Sequence, residues 1–594
     1  MPIDFRNINT VWASILVETL QYLGLTTAII SPGSRSTPLT FAFATHPKIE
    51  TIPILDERSA AFFALGIARK THQAVAIVCT SGTAAANFYP AIIEAKESRI
   101  PLLVLTADRP QELRNCHAGQ SIDQVKLYAN YPNWQIELTV PSLDLKILSY
   151  LRQTVIHGWE KTTFPTPGAV HFNIPFRDPL PPLPQSEANT LETEFPPNFF
   201  ATVKPILETE FIPNYDLIQQ LKNQLKSHQG IIIAGLAQPK NPQKYCQAIA
   251  QISQTLKFPV LAEALSPLRN YSQLNPYLIA TYDLILRNQN LATKLIPQIV
   301  LQIGELPTSK KLRAWLETVN PHRLIIDKSD HNFDPLHGNT AHLRLSPEQL
   351  AHIFISKSFT NNADVNYLEL WCNTELKVRQ AIDTKMATIN HTFESKIPWL
   401  ISQILPQGTP IFIANSMPVR DVEFFWVPNN SQIQPFFNRG ANGIDGTLST
   451  ALGIAHRYQS SVILTGDLAL LHDTNGFLLR NKLVGHLTII LINNQGGGIF
   501  EMLPIAKFEP PFEEFFATPQ DINFGDLSKT YNIEYESISS WQQLQNFLNP
   551  LPTNGIRILE LKTDRKADTK WRLDNLDKFA TDLLLAQQSK VRPK

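Results

Sequence analysis

Three observations predict an α/β protein built from three doubly wound, parallel-sheet domains. Short runs of β-branched and aliphatic residues alternate with longer segments of helical spacing along nearly the whole chain, the pattern of βαβ units whose strands are covered on both faces. At roughly 150 residues per domain, 594 residues correspond to three or four domains. The first and last thirds also share short stretches, two of them at one spacing and a third, TSG against TGD, only after a shift of about two residues; either an internal duplication or the common look of βαβ units would leave this pattern.

Taken in order, the first block covers residues 1–180. VAIVCTSG (Val75 to Gly82) and PLLVLTAD (Pro101 to Asp108) read as buried strands, and AAANFYPAIIEAKES between them has helical spacing. The stretch from Arg177 to Asn198, rich in Pro and polar residues, reads as a linker. The second block, 200–350, holds GIIIAGLA, FPVLAEA, QIVLQIG and RLIIDKS as parallel strands with helices between. A less regular stretch leads to the third block, 370–570, where SVILTGD and LTIILINN flank a helical segment. Residues 571–594 are charged and read as a frayed C-terminal tail.

Composition narrows the function. Fifty-two Lys plus Arg against fifty-two Asp plus Glu leave no basic excess for phosphate neutralisation, which argues against a general nucleic-acid binder. No apolar run reaches the ~18 residues that span a bilayer, and the start MPIDFRNINT has no secretory pattern. Cys79, Cys116, Cys246 and Cys372 lack CxxC spacing, which excludes a zinc ribbon and suits a reducing, cytoplasmic compartment.

The duplication directs attention to strand ends. ALGIAR (Ala64 to Arg69) recurs as ALGIAH (Ala451 to His456), an offset of 387 residues, and at that offset Leu103-Val104-Leu105 falls on Ile490-Leu491-Ile492. Open parallel sheets bind ligands beyond the carboxyl ends of their strands. There, in the third block, lie Gly466-Asp467 and then Asn493-Asn494 followed by Gln495-Gly496-Gly497-Gly498. A carboxylate from Asp467, an amide oxygen from Asn494 and a carbonyl in the glycine turn form a half-shell of hard oxygens suited to Mg²⁺, whose other positions go to phosphate and water. Backbone N–H groups after Asp467 favour a diphosphate. The spacing resembles the thiamine-diphosphate signature, GD followed after about 25 to 30 residues by N or NN; Leu468 stands where many carriers of the motif have a third-position glycine. Read blandly, these residues would be a helix cap and a turn.

Thiamine chemistry also needs a carboxylic acid on the aminopyrimidine, in apolar surroundings that favour its protonated form. In TIPILDERSAAFFALGIAR, Glu57 follows a strand and opens an apolar helix. The plain alternative is a glutamate favoured by the helix dipole. At the 387 offset Glu57 corresponds to Ile444 in NRGANGIDG, where a bulky side chain could hold the cofactor bent, or could serve simply as core.

Together SPGSRSTPL, DERSAAFFALGIAR, TSGTAAAN, TADRP, NSMPVR, NRGANGIDG and NNQGGGIF resemble, in this order over essentially the whole chain, the 2-succinyl-5-enolpyruvyl-6-hydroxy-3-cyclohexene-1-carboxylate synthases of menaquinone and phylloquinone biosynthesis. The resemblance implies a thiamine-diphosphate-binding fold with pyrimidine-binding, central and diphosphate-binding domains. It implies decarboxylation of 2-oxoglutarate on thiamine diphosphate and 1,4-addition of the succinyl carbanion equivalent to isochorismate. Carried over by motif, Glu57 activates the cofactor; Asp467, Asn494 and the Gly496 carbonyl bind Mg²⁺ or Mn²⁺; and Ser416, Ile444, Gly466, Leu468 and Ile499 line the cofactor. Substrate contacts fall on Ser34, Arg35, Arg109, Gln120, Ser416, Arg420 and Arg439, with Ile499, Phe500 and Leu503 as apolar wall. Lys310 and Lys311 occupy the place of a basic pair that is Lys-Arg in some relatives. Arginine suits dicarboxylate substrates because its planar fork pairs with a carboxylate at two points. The pocket should be poor in water and strong acids, so that the carbanion equivalent is not protonated; His117 reads as a loop residue.

The rival readings are a thiamine-dependent carboligase or decarboxylase of the acetolactate synthase type, and a non-catalytic nucleotide- or CoA-binding α/β protein. The arginines at 35, 109, 420 and 439 favour larger dianionic substrates over pyruvate. The resemblance also implies a homodimer or homotetramer.

Overall fold

The computed structural model describes residues 3–205, 215–226, 229–355, 365–457 and 460–580. Among the described residues eighteen strands form three six-stranded sheets. The first sheet contains β1 (Thr27–Ile30), β2 (Glu50–Pro53), β3 (Val75–Cys79), β4 (Leu102–Asp108), β5 (Trp134–Glu137) and β6 (Ala169–Pro175), in the order β2-β1-β3-β4-β6-β5. The second contains β7 (Gly230–Ala234), β8 (Val260–Ala262), β9 (Leu278–Ile279), β10 (Ile299–Ile303), β11 (His322–Ile326) and β12 (Thr340–Leu343), ordered β12-β11-β10-β7-β8-β9. The third contains β13 (Pro410–Ile413), β14 (Gln434–Phe436), β15 (Ser461–Gly466), β16 (His486–Asn493), β17 (Glu534–Ser537) and β18 (Gly555–Lys562), ordered β14-β13-β15-β16-β18-β17.

The first and third orders are the same permutation, so the duplication read from ALGIAR and ALGIAH extends to topology. The second order is that of a dinucleotide-binding sheet, with its switch point between β7 and β10. The pairing is parallel, in register from Val75↔Leu102 to Cys79↔Thr106 in the first sheet and from Ser461↔Leu487 to Gly466↔Ile492 in the third. Every residue of β3, β4, β15 through Thr465, and β16 is buried. These strands therefore read as continuous apolar runs rather than alternating ones.

The chain divides into two compact units. One comprises 1–209, 438–458 and 470–486; the other comprises 210–437, 459–469 and 487–594. In the first unit, helix Glu57–Thr71 begins at an Asp56 cap that accepts from the Ser59 amide and buries Ala60, Ala61, Phe62, Phe63, Ala64 and Leu65. It packs against helix Thr447–Ala455, which is buried over its whole length. The numerical equivalence of Glu57 and Ile444 does not extend to local structure. Gly446, at φ 62°, starts the later helix at Thr447, so Ile444 sits in the turn before it, its carbonyl accepting from Thr447 Oγ1 at 2.7 Å. A β-carbon at Gly446 would strike the Phe62 ring, which fixes the turn there.

Two expectations are corrected. The Pro-rich segment after β6 is docked, not a free linker: helix Ser186–Glu194 buries Ala188 and Leu191, and Asn7 Nδ2 donates to the carbonyls of Pro181 and Leu183. Prolines bar it from a ladder, yet its apolar residues join the first unit's core. Likewise residues 571–580 of the supposed tail belong to the fold. Helix Arg565–Asn575 buries Arg572 to 1% exposure, because that guanidinium meets two buried carboxylates; residues 581–594 lie outside the described residues. No helix among the described residues is long and apolar enough to cross a membrane.

Candidate active site

In the second unit the residues expected to form a cation half-site lie at the ends of two neighbouring strands, β15 and β16. Asp467 follows β15 and is 5% exposed. Its carboxylate accepts from the Leu468 amide and from the Gly496 amide, each at 2.8 Å, which ties the GD turn to the glycine loop after β16. Burial pushes the Asp467 carboxyl up to about 6, against those amide hydrogen bonds and with the charge of Glu394 adding to the rise. Asn494 donates from Nδ2 to Glu394 Oε1 at 2.6 Å. Its Oδ1 is buried and has no partner among the described residues. A buried, unpaired amide oxygen beside a desolvated carboxylate is what a hard divalent cation would satisfy.

The glycines serve close approach. Gly496, at φ 135°, would drive a β-carbon to 2.3 Å from the Ala517 carbonyl oxygen, whereas a β-carbon on Gly466 would meet nothing within 4 Å. The Gly496 carbonyl accepts from the Gly498 amide at 2.9 Å, leaving its second lone pair for a ligand. Among the described residues no group of three or more His, Cys, Asp or Glu forms a metal cluster. A site of one carboxylate, one amide and one carbonyl contains no such group, and these residues fit Mg²⁺ or Mn²⁺. Leu468, Ile499, Phe500 and Leu503 are half-buried around this loop, and Phe500 stacks edge-on to Phe516 with centroids 5.8 Å apart.

Ser416, also in the second unit, lies just beyond β13 and carries a positive φ of 71° at the start of helix Met417–Phe425. Non-glycine residues held this way concentrate at functional sites. Arg420 NH1 donates to its carbonyl at 2.5 Å. Lys310 and Lys311 are both exposed in the first turn of helix Lys310–Val319, where the helix dipole opposes their charge.

In the first unit Glu57 is half-buried at its helix start, and its carboxylate makes no hydrogen bond or ion pair among the described residues. Arg35 is 7% exposed; its NH1 donates to the Phe176 carbonyl at 2.9 Å, and its amide to Thr80 Oγ1 at 3.2 Å. Burial lowers its affinity for the proton, and the neighbouring charge of Arg109 lowers it further. The carboxylates of Asp178, 4.0 Å from NH1, and of Asp108 oppose that effect. Arg109 Nε donates to the Gly119 carbonyl at 3.1 Å, and Gln120, at φ 55°, is exposed beside Gly82. Ser34 is exposed; Arg439 and Ile444 are half-buried. His117 is exposed and lines a cavity of 580 Å³ with Arg114, Asn115, Ser121, Ile122 and Asp123. Two polar supports escaped the sequence reading. Gln124, fully buried, accepts from the Gly82 amide at 2.8 Å, and Glu394 holds Asn494; neither lies in a motif whose spacing signals it.

Residues 11–127 match the family described as "Thiamine pyrophosphate enzyme, N-terminal TPP binding domain", and residues 199–413 the "Middle domain of thiamine pyrophosphate". The chain is 80% identical over 579 residues, 98% of its length and 100% of the relative's, to the 2-succinyl-5-enolpyruvyl-6-hydroxy-3-cyclohexene-1-carboxylate synthase of Trichodesmium erythraeum (strain IMS101). The chain belongs to this synthase family. A second synthase of that name, from Trichormus variabilis (strain ATCC 29413 / PCC 7937), is 63% identical over 98% of the chain and all of its own length. In fold, the synthase chain matches a solved structure assigned to the thiamin diphosphate-dependent enzymes, from Mycobacterium smegmatis, with a TM-score of 0.68 at 16% identity over 93% of this chain and 99% of that one.

Proposed function

We propose that the chain decarboxylates 2-oxoglutarate and adds the succinyl unit 1,4 to isochorismate, giving 2-succinyl-5-enolpyruvyl-6-hydroxy-3-cyclohexene-1-carboxylate and CO₂. The observation that carries this reading is end-to-end likeness to synthases of that name. Thiamine diphosphate, when bound, supplies the nucleophilic carbon and the electron sink that decarboxylation needs.

The chain's own residues do the rest. Asp467, Asn494 and the Gly496 carbonyl hold Mg²⁺ or Mn²⁺ and through it a diphosphate, supported by the buried, unpaired Asn494 Oδ1. Glu57 shares a proton with the cofactor's pyrimidine; its half-buried carboxylate is free of other partners among the described residues, and an apolar helix follows it. Arg35 and Arg109 seat a substrate carboxylate, with Ser34 and Gln120 on the flanking loops, and Arg420 and Arg439 serve the other acidic groups. Lys310 and Lys311 supply diffuse positive charge. Ser416 presents its backbone to the substrate from a strained turn, Ile444 keeps the cofactor bent, and Gly466 and Leu468 flank the diphosphate. Ile499, Phe500 and Leu503 exclude water from the reacting carbon, which limits loss of the succinyl unit as its aldehyde.

The enzyme works as a homodimer or homotetramer in the cytoplasm, in keeping with four cysteines that are all free thiols. Four arginines assigned to substrate set it apart from acetolactate-type carboligases. Mass-spectrometric product identification with 2-oxoglutarate, isochorismate, thiamine diphosphate and Mg²⁺ supplied together tests the reading. The adduct, formed one-for-one with CO₂, is expected; CO₂ release with no isochorismate adduct would reject it.

A further inference from the structure

We infer that Glu394, itself held by Arg572, is a positioning residue that orients the Asn494 amide so that its oxygen, not its nitrogen, faces the divalent cation. This rests on the reading above that Asn494 is a cation ligand. The two ends of an asparagine amide are nearly isosteric, so their partners decide which way it points. Here Nδ2 is taken by Glu394 Oε1 at 2.6 Å and Oδ1 is left bare.

The carboxylate that makes this choice cannot turn away. Glu394 and Arg572 are each 1% exposed, with NH2 2.5 Å from Glu394 Oε2. Arg572 is fixed in turn by Asp421, at 2.6 Å to Oδ2 and 2.9 Å to Oδ1, and by Ser395 Oγ at 3.1 Å. Glu394 Oε1 also accepts from Thr563 Oγ1 at 3.2 Å, and the Glu394 amide donates to Asp568 Oδ2 at 3.1 Å. A guanidinium has only donors and an ionised carboxylate only acceptors. The chain Arg572, Glu394, Asn494 thus has a fixed polarity that ends with an oxygen facing the ion. The same C-terminal helix reaches the next residue of the loop, where Arg565 NH1 donates to the Gln495 carbonyl at 2.8 Å.

The test uses the full chain with saturating thiamine diphosphate, titrated with Mn²⁺, with free Mn²⁺ read by electron paramagnetic resonance. In Glu394→Gln the oxygen of the new carboxamide is claimed by Arg572, which turns its NH₂ toward Asn494. The asparagine then flips and offers nitrogen to the ion. Mn²⁺ affinity should fall about 10- to 100-fold, the usual effect of losing a residue that orients a ligand. The double variant E394Q/N494D should recover most of that loss, since aspartate offers an oxygen to both sides. Glu394→Asp keeps the charge on Arg572 but withdraws from Asn494; it should weaken Mn²⁺ with little change in melting temperature, and it carries the test if Glu394→Gln fails to fold. Asn494→Ala separates the two readings. If it binds Mn²⁺ as wild type does, the ligand assignment falls and this inference with it. If it loses Mn²⁺ while the position-394 variants keep it, or if E394Q/N494D recovers nothing, Glu394 has no orienting role.

Discussion

Gly66 and Gly453, 387 residues apart and equivalent in the repeat, meet backbone to backbone where their helices cross. A β-carbon on Gly66 would lie 2.1 Å from the Thr450 carbonyl oxygen, and one on Gly453 2.1 Å from that of Phe63; each would be 3.0 Å from the other glycine's Cα. Each copy supplies the small residue that lets the other approach. Gly66→Ala must force the two backbones apart, and overpacking of this kind costs about 1–3 kcal/mol or more. Thermal unfolding should register that loss for either glycine. Because the two changes open the same contact, the double variant should lose less than the two single losses combined. Wild-type melting of Gly66→Ala would contradict the close crossing.

Glu57→Gln preserves shape and the helix start while removing the acid. The variant should fold with an unchanged circular dichroism spectrum and lose turnover by about 10²- to 10⁴-fold, the usual worth of a positioned proton-transfer group. Turnover near wild type would remove Glu57 from the chemistry.

Arg109 is half-buried and its charge opposes that of Arg35, and the proposed function gives both a substrate carboxylate to seat. Arg109→Leu should raise KM for a dicarboxylate substrate about 10- to 100-fold, as expected for a lost charge-assisted hydrogen bond. Melting of the ligand-free protein should change by less than about 1 kcal/mol. A variant with unchanged KM values for both substrates would place Arg109 outside the substrate site.

Asp473 gives a pH signature in stability. It is fully buried and accepts from the Ser449 amide and hydroxyl at 2.7 and 3.1 Å, and burial pushes its carboxyl from 3.8 up to about 6. The folded state therefore holds the proton more tightly than the unfolded chain. Stability from this group is fullest below about pH 4, declines as pH rises to about 6 and is level above, a span of up to about 3 kcal/mol. Asp473→Asn keeps an acceptor for the amide and has no charge to bury. Its melting temperature should exceed that of wild type at pH 7, with the gap closing toward pH 4; parallel pH profiles would contradict the assignment.

The sequence was informative where the ends of two adjacent strands carry the candidate residues in short runs. Asp467, Asn494 and Gly496 are legible because β15 and β16 are neighbours in register, and the helix after Glu57 is legible because its burial is continuous. Long-range polar contacts are not legible in this way: Arg572 and Glu394 stand 178 residues apart, and a hydrogen-bonded ion pair leaves no periodicity to read. The same blindness made the last helix look like a charged tail, since arginines bound inside a protein and arginines in water have identical letters. The offset of 387 also carries no information about local conformation: a left-handed Gly446 places the start of helix Thr447–Ala455 about a turn later than its counterpart at Glu57.

Two sheets with one strand order in a single polypeptide amount to a fused pair. An ancestor made of one such module, associating with its own copy, would obey its own symmetry, so that a residue serving one cleft would have to serve both. Fusion lifts that constraint. Glu57, an acid that opens a helix, and Ile444, a branched alkyl side chain in the turn before one, show how far the two copies have diverged at that numerical offset.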